Sequence, residues 1–209
     1  AHVVLVDYLL PGDVIRLCER HRITGLTGVP PLWVQLADQD WPQEATAHLR
    51  YFANTGGRMP RATLDKLRAI FPAAEPFLMY GLTEAFRSTF LDPALIDTHP
   101  TSMGTAIPFA EVLVVADDGR LADAGEEGEL VHCGPLVAQG YWNAPERTAE
   151  RFRAAPPQSL YGGTAVWSGD RVTRGADGLL YFAGRRDAMV KTAGNRISPQ
   201  EIEDAAVAC

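Results

Sequence analysis

The sequence predicts an α/β protein: a parallel, helix-covered sheet, then a small antiparallel β-barrel subdomain, ending at a hinge. Three observations predict it. Over the first hundred residues, short apolar runs alternate with amphipathic stretches opened by proline. That alternation is the mark of strands joined by crossover helices. After about Thr101 the segments shorten into strands separated by Asp117-Asp118-Gly119 and Ala176-Asp177-Gly178, both turn sequences. Glycine and charge then rise together from Gly184 to Asn195. The implied divisions are 1–100, 101–183 and 184–209.

Val3-Val4-Leu5-Val6 reads as a buried strand. Pro11 opens a helix whose Val14, Ile15, Leu17 and Cys18 share one face. Ile23 to Val29 is a second strand, and Pro30-Pro31 starts a helix bearing Leu32, Trp33 and Leu36. Arg50 to Ala53 is a third strand, ending in Asn54-Thr55-Gly56-Gly57. Pro60 starts a third helix, through Leu64, Leu67 and Ile70. Pro76 to Met79 is a fourth strand, running into Tyr80-Gly81. In the second part, Val112–Ala116, Gly128–His132, Arg171–Thr173 and Leu179–Phe182 read as strands, with one helix near Glu146–Phe152. Ser198-Pro199-Gln200-Glu201 has the pattern of a helix start.

Composition narrows the function. The formal net charge is −7 and no stretch clusters Lys or Arg, which argues against a nucleic-acid partner. An acidic protein that binds a polyanion needs local cations or a metal to offset its own field. No apolar run approaches the roughly 18 residues of a membrane span. Cys18, Cys133 and Cys209 are far apart and odd in number. They read as inert thiols, which suits a reducing, cytoplasmic setting. The five histidines show no ligand spacing, so packed or solvated imidazoles are expected.

Polar residues at strand ends carry the chemistry, because ligands of parallel sheets bind at the carboxyl ends of strands. In Tyr80-Gly81-Leu82-Thr83-Glu84, Gly81 permits close backbone approach, Thr83 offers a hydroxyl to a phosphate, and Glu84 offers a hard oxygen to magnesium. Tyr80 offers a ring face to a purine. A strand end with a capping turn would look the same. Gly56-Gly57 forms a tight turn that can press on a flat ligand, or merely joins a strand to a helix. Asp170, in Ser168-Gly169-Asp170 just before a strand, can accept hydrogen bonds from a ribose diol, or sit in a plain surface turn. Arg185 is an always-charged donor within reach of a ribose or phosphate.

The order of these segments, with Gly184-Arg185-Arg186-Asp187 and Lys191-Thr192-Ala193-Gly194 after them, resembles the AMP-forming acyl-CoA ligases and related adenylate-forming enzymes. The resemblance covers nearly the whole chain. It implies part of the N-terminal domain of such an enzyme, with ATP, AMP, magnesium and coenzyme A as cofactors and substrates and a small carboxylic acid as the activated group. It implies that Gly56 and Gly57 border the adenine and acyl pocket. It implies that Tyr80 stacks on adenine, Gly81 lets the backbone come close to the nucleotide, Thr83 meets the α-phosphate, Glu84 holds magnesium, and Asp170 and Arg185 grip the ribose. Asp187 would be the pivot, and Lys191 and Gly194 part of the loop that moves toward the pantetheine. Two positions depart from the usual pattern: Arg58 follows the glycine pair, and Trp167-Ser168 precede Gly169-Asp170. Gly128-Glu129-Leu130 and Gly140-Tyr141-Trp142-Asn143 are typical of the family and read as structural, with Tyr141 and Trp142 packing the barrel. The wording around Thr83 and Asp170 is most similar to ligases found beside bacterial exosortase genes.

The phosphate loop and the lysine-bearing C-terminal lobe of the family have no counterpart in the sequence. This predicts a middle fragment of a longer ligase, inactive by itself. Two alternatives stand beside a CoA ligase: an adenylation unit that loads a carrier protein, and a non-catalytic nucleotide-binding or assembly module.

Overall fold

The computed structural model describes residues 2–185, 190–192, 195–197, 202 and 205–206. Its contacts divide the chain into two compact units, Ala1–Tyr80 with Asp92–Pro100, and Gly81–Leu91 with Thr101–Cys209.

The first unit is the parallel part. Helix α1 (Pro11–His21) begins on proline and ends where Arg22 turns left-handed, its N–H returning to the carbonyls of Cys18 and Glu19. Strand β1 (Gly25–Gly28) leads to helix α2 (Pro30–Ala37) and the one-turn helix α3 (Gln43–Thr46). Strand β2 (Tyr51–Asn54), helix α4 (Arg61–Ile70) and strand β3 (Glu75–Leu82) follow. The strands pair in parallel, Gly25 opposite Tyr51 and Tyr51 opposite Glu75.

Aromatic residues hold this layer. Trp33 of α2 is fully buried against Phe52 of β2, ring centroids 5.5 Å apart. Phe52 in turn meets Phe71, which also receives the edge of Trp41 at 4.7 Å. Such pairs add about 0.5–1.5 kcal/mol each beyond the area they bury.

One expected element is missing. Residues 2–7 form no strand, and Val3 and Leu5 are exposed rather than buried. β-branched composition supplies strand propensity, but a ladder needs a neighbouring strand, and none pairs with this segment among the described residues.

The second unit is antiparallel. Strand β4 (Ala85–Leu91) follows the two-residue turn Thr83-Glu84, and a 3-10 turn at Pro93–Leu95 lies between β4 and strand β5 (Ser102–Ala106). Strands β6 (Glu111–Val115) and β7 (Glu127–Cys133) precede helix α5 (Pro145–Arg151) and the short strand β8 (Phe152–Ala154). The long strand β9 (Thr164–Arg174) and strand β10 (Leu180–Arg185) complete the sheet, with order β4-β5-β10-β9-β7-β6. It is an open sheet: among the described residues β6, the last strand of this order, does not pair back onto β4. Strands β11 (Val190–Thr192) and β12 (Asn195–Ile197) form a separate antiparallel pair.

Strand β9 organises this unit. One edge pairs with β7 along its length. The other edge is shared: β8 takes Thr164–Val166, and β10 takes Asp170–Arg174. Ser168 and Gly169 lie in the gap between them. Gly169 has φ +75°, and the β7 register slips nearby, so β9 carries a bulge there. Asp170 therefore sits inside a strand, not in a turn before one as the Ser-Gly-Asp wording suggests. Ladder bonds on both sides carry the strand through the glycine.

Two apolar clusters lie on this sheet. Leu113, Val115, Val131, Cys133 and Ala165 form one. Ala85, Phe152 and Val166 form the other, with Leu82 and Tyr141 packed on them. The second ties the start of β4 to β8 and β9.

Candidate nucleotide site in the antiparallel unit

The turn Thr83-Glu84 is short because Gly81 lets its two strands close tightly. A Cβ on Gly81 would collide with the backbone nitrogen of Arg87. The turn is fastened from outside by the Ala138 N–H, which donates to the Glu84 carbonyl at 2.9 Å, and by a bridge between Ala85 and Val137. Thr83 is exposed at the tip and Glu84 half-buried behind it.

Facing this turn, the gap in β9 is built from buried hydrogen bonds. Ser168 Oγ donates to the Leu130 carbonyl at 2.6 Å and accepts the Asp170 N–H at 3.0 Å. The buried Glu129 carboxylate accepts the Gly169 N–H at 3.0 Å. These contacts hold the left-handed glycine and aim Asp170. The Asp170 carboxylate lies 3.5 Å from the Arg185 guanidinium, its cross-strand partner on β10. Arg151 of α5 fills the gap between β8 and β10 and donates to the Ser168 carbonyl at 2.7 Å.

Together these groups enclose a cleft of about 500 Å³, within the size range of small-ligand sites. Gly81, Thr83, Glu84, Asp170 and Arg185 all line it. So do Tyr141 and, from α5, Arg147, Glu150 and Arg151. Three guanidiniums and three carboxylates (Glu84, Glu150 and Asp170) thus share the lining, so the cleft offers an anion local cations within an acidic chain. Sequence reasoning missed this face of α5. Its signal is the i, i+3, i+4 spacing of Arg147, Glu150 and Arg151, which places them on one side of a helix.

Trp142 corrects an expectation, while Tyr141 packs as expected and does more besides. Trp142 is 92% exposed and packs nothing. Tyr141 meets Phe152 edge-on at 5.5 Å, yet its phenol donates to Glu84 Oε1, and Arg147 stacks over its ring at 5.2 Å. Burial and the adjacent Glu84 carboxylate raise the phenol's pKa, which keeps it a donor.

The remaining candidates lie elsewhere. Gly56-Gly57 follows β2 at the carboxyl end of the parallel strands, with Gly56 at φ +80° and the Asn54 side chain donating to the Gly57 carbonyl at 2.8 Å. Tyr80 is half-buried near the carboxyl end of β3. Both belong to the first unit. Arg58 follows the glycine pair and is exposed. Lys191 is on β11. Arg186, Asp187, Gly194 and the Ser198–Glu201 helix start lie outside the described residues.

Among the described residues no group of three or more His, Cys, Asp or Glu could hold a metal ion. Glu84 at the mouth of an arginine-rich cleft fits a different case. Magnesium is commonly held by one or two carboxylates together with substrate phosphates and water. No helix among the described residues is long and apolar enough to cross a membrane.

Comparison with known proteins agrees with the resemblance. The family model for AMP-binding enzymes matches residues 1–142. D-alanine--D-alanyl carrier protein ligase of Lacticaseibacillus rhamnosus is 36% identical over 83% of this chain and 34% of its own length. Benzoate--CoA ligase of Thauera aromatica is 31% identical over 99% of this chain and 37% of its own. The crystal structure of VinN is 32% identical with a TM-score of 0.68, over 82% of this chain and 42% of that one. O-succinylbenzoate coenzyme A synthetase of Bacillus subtilis, solved with ATP and magnesium, shares the fold at TM-score 0.81 and 24% identity, over 98% of this chain and 40% of that one. The chain belongs to the AMP-binding, adenylate-forming ligase family. It spans about one third of the length of the curated relatives it matches.

Proposed function

We propose that this chain supplies the nucleotide-gripping part of an enzyme that activates a carboxylic acid with ATP. The observation that carries the reading is the convergence of Thr83, Glu84, Asp170 and Arg185, spread over a hundred residues of sequence, on one cleft. In the reaction, a carboxylate oxygen attacks the α-phosphorus of ATP. The new P–O bond forms as the bond to the β-phosphate breaks, giving acyl-AMP and pyrophosphate. A thiol then takes the acyl group and releases AMP.

The residues divide this work. Asp170 accepts hydrogen bonds from the ribose hydroxyls, and Arg185 donates beside it. Thr83 donates to the α-phosphate. Arg147 and Arg151 face the phosphate charge. Glu84 would hold magnesium, which when bound neutralises charge on the phosphate oxygens. Gly56, Gly57 and Tyr80 are proposed to border the adenine, and Lys191 to belong to the thioester half-reaction. Binding the nucleotide at so many points positions the phosphorus for in-line attack. We take coenzyme A as the thiol, in line with the benzoate--CoA ligase relative. A carrier protein is the second reading, favoured by the carrier protein ligase at 36% identity.

Calorimetric titration of the chain with AMP, and with ATP with and without magnesium, tests the site. AMP is expected to bind, and magnesium is expected to strengthen ATP. Glu84→Gln should sharply reduce that magnesium gain and leave AMP binding intact. Absence of any nucleotide binding would overturn the reading. Pyrophosphate release by the full gene product, with a panel of carboxylic acids and with or without CoA, would identify the acid and the acceptor.

A further inference from the structure

Tyr141 lies fifty-seven residues from Glu84 in sequence, yet its phenol donates to Glu84 Oε1. Three features fix that phenol. Its backbone N–H donates to Thr148 Oγ1 at 2.9 Å, and Thr148 Oγ1 donates in turn to the Ala144 carbonyl at 2.8 Å. Its ring edge rests on Phe152, in the apolar cluster that also contains Ala85. Its other side is covered by the Arg147 guanidinium. Gly140, at φ +135°, lets the chain pass against Thr148, where any Cβ would crowd the threonine methyl. The ring is thus held by the start of α5, by the cluster behind β4, and by a cation.

A carboxylate on a two-residue turn can rotate. With Oε1 engaged by a fixed phenol, that rotation is restricted. We propose that Tyr141 is a positioning residue: it orients Glu84 so that one defined carboxylate oxygen receives the divalent cation that accompanies the nucleotide. This rests on the function proposed above. Tyr141 touches neither nucleotide nor reacting atoms in this role and acts only through Glu84. Partners that orient a metal-ligating side chain typically change metal affinity 10–100-fold when removed.

Tyr141→Phe tests it, because it deletes the hydroxyl and keeps the ring between Phe152 and Arg147. The probe is Mn²⁺, titrated into ATP that is held by an excess of the chain, so that no free ATP chelates the ion, and followed by the loss of free-ion paramagnetic signal. The Mn²⁺ midpoint is expected to rise about 10-fold, while metal-free AMP affinity and the thermal midpoint stay unchanged. Glu84→Gln should weaken Mn²⁺ further, and the double variant should equal Glu84→Gln alone, since the phenol has nothing left to orient. An unchanged Mn²⁺ midpoint in Tyr141→Phe overturns the inference, and so does additivity of the two substitutions. Equal losses of AMP and Mn²⁺ binding also overturn it, by marking Tyr141 as a general support of the cleft. A wild-type chain that binds AMP but no Mn²⁺ overturns the inference alone; one that binds neither overturns the proposed function with it.

Discussion

At the scale of single residues, Asp170 separates ligand recognition from folding. Its carboxylate is buried, but its ionic partner Arg185 is half-exposed and can be rehydrated when the carboxylate is lost. Asp170→Ala is therefore expected to raise the AMP dissociation constant about tenfold, the size of one charge-assisted hydrogen bond. A wild-type constant, measured by calorimetry, would reduce Asp170 to a strand residue. The cysteines make the opposite case. Burial pushes the Cys18 thiol up to about 11, and it raises Cys133 as well. Thiolates are the reactive form. Alkylation of the native protein at pH 8 should leave both unmodified, and denaturation should expose both to quantitative labelling, as read by peptide mapping.

At the scale of elements, the site depends on one interruption in β9. Strands β8 and β10 share an edge of β9 and leave Ser168-Gly169 between them, where Arg151 enters. Gly169 makes this possible, since a left-handed conformation costs other residues about 1–2 kcal/mol. Alanine there would also meet the Arg151 guanidinium. Gly169→Ala is expected to lower unfolding free energy by at least about 1–2 kcal/mol and to weaken AMP binding, as measured by urea titration and calorimetry. Full stability would mean that the bulge is not strained. The element pattern was legible in sequence where proline opened α1 and α2 and where Asp-Gly turns bounded β6 and β10. It was not legible for β4, because Thr83-Glu84 carries no turn residue and its tightness comes from Gly81 lying across from Arg87.

At the scale of the whole molecule, stability is tied to pH through His132. It is fully buried on β7, and desolvation holds its pKa at about 4, against 6.5 for an exposed imidazole. The unfolded chain therefore takes up a proton first as pH falls. His132 contributes its full stability above pH 6.5, loses it between 6.5 and 4, and loses no more below that. The slope it adds is at most about 1.4 kcal/mol per pH unit. Wild type should lose more stability than His132→Phe between pH 6.5 and pH 4 in urea unfolding. Equal losses would show that His132 is protonated without unfolding.

The sequence by itself determined the succession of parallel and antiparallel parts, the family, and the residue types a nucleotide requires. Those are local properties: a proline that opens a helix, an apolar period, a hydroxyl beside a carboxylate. Only the tertiary structure decided which polar groups share a cleft. It brought in Tyr141, Arg147 and Arg151, moved Asp170 into a strand, and left Trp142 in solvent. The reason is physical: strand pairing joins residues that are remote along the chain, so the register of β9 against β7, β8 and β10, rather than any single motif, sets where each charge points.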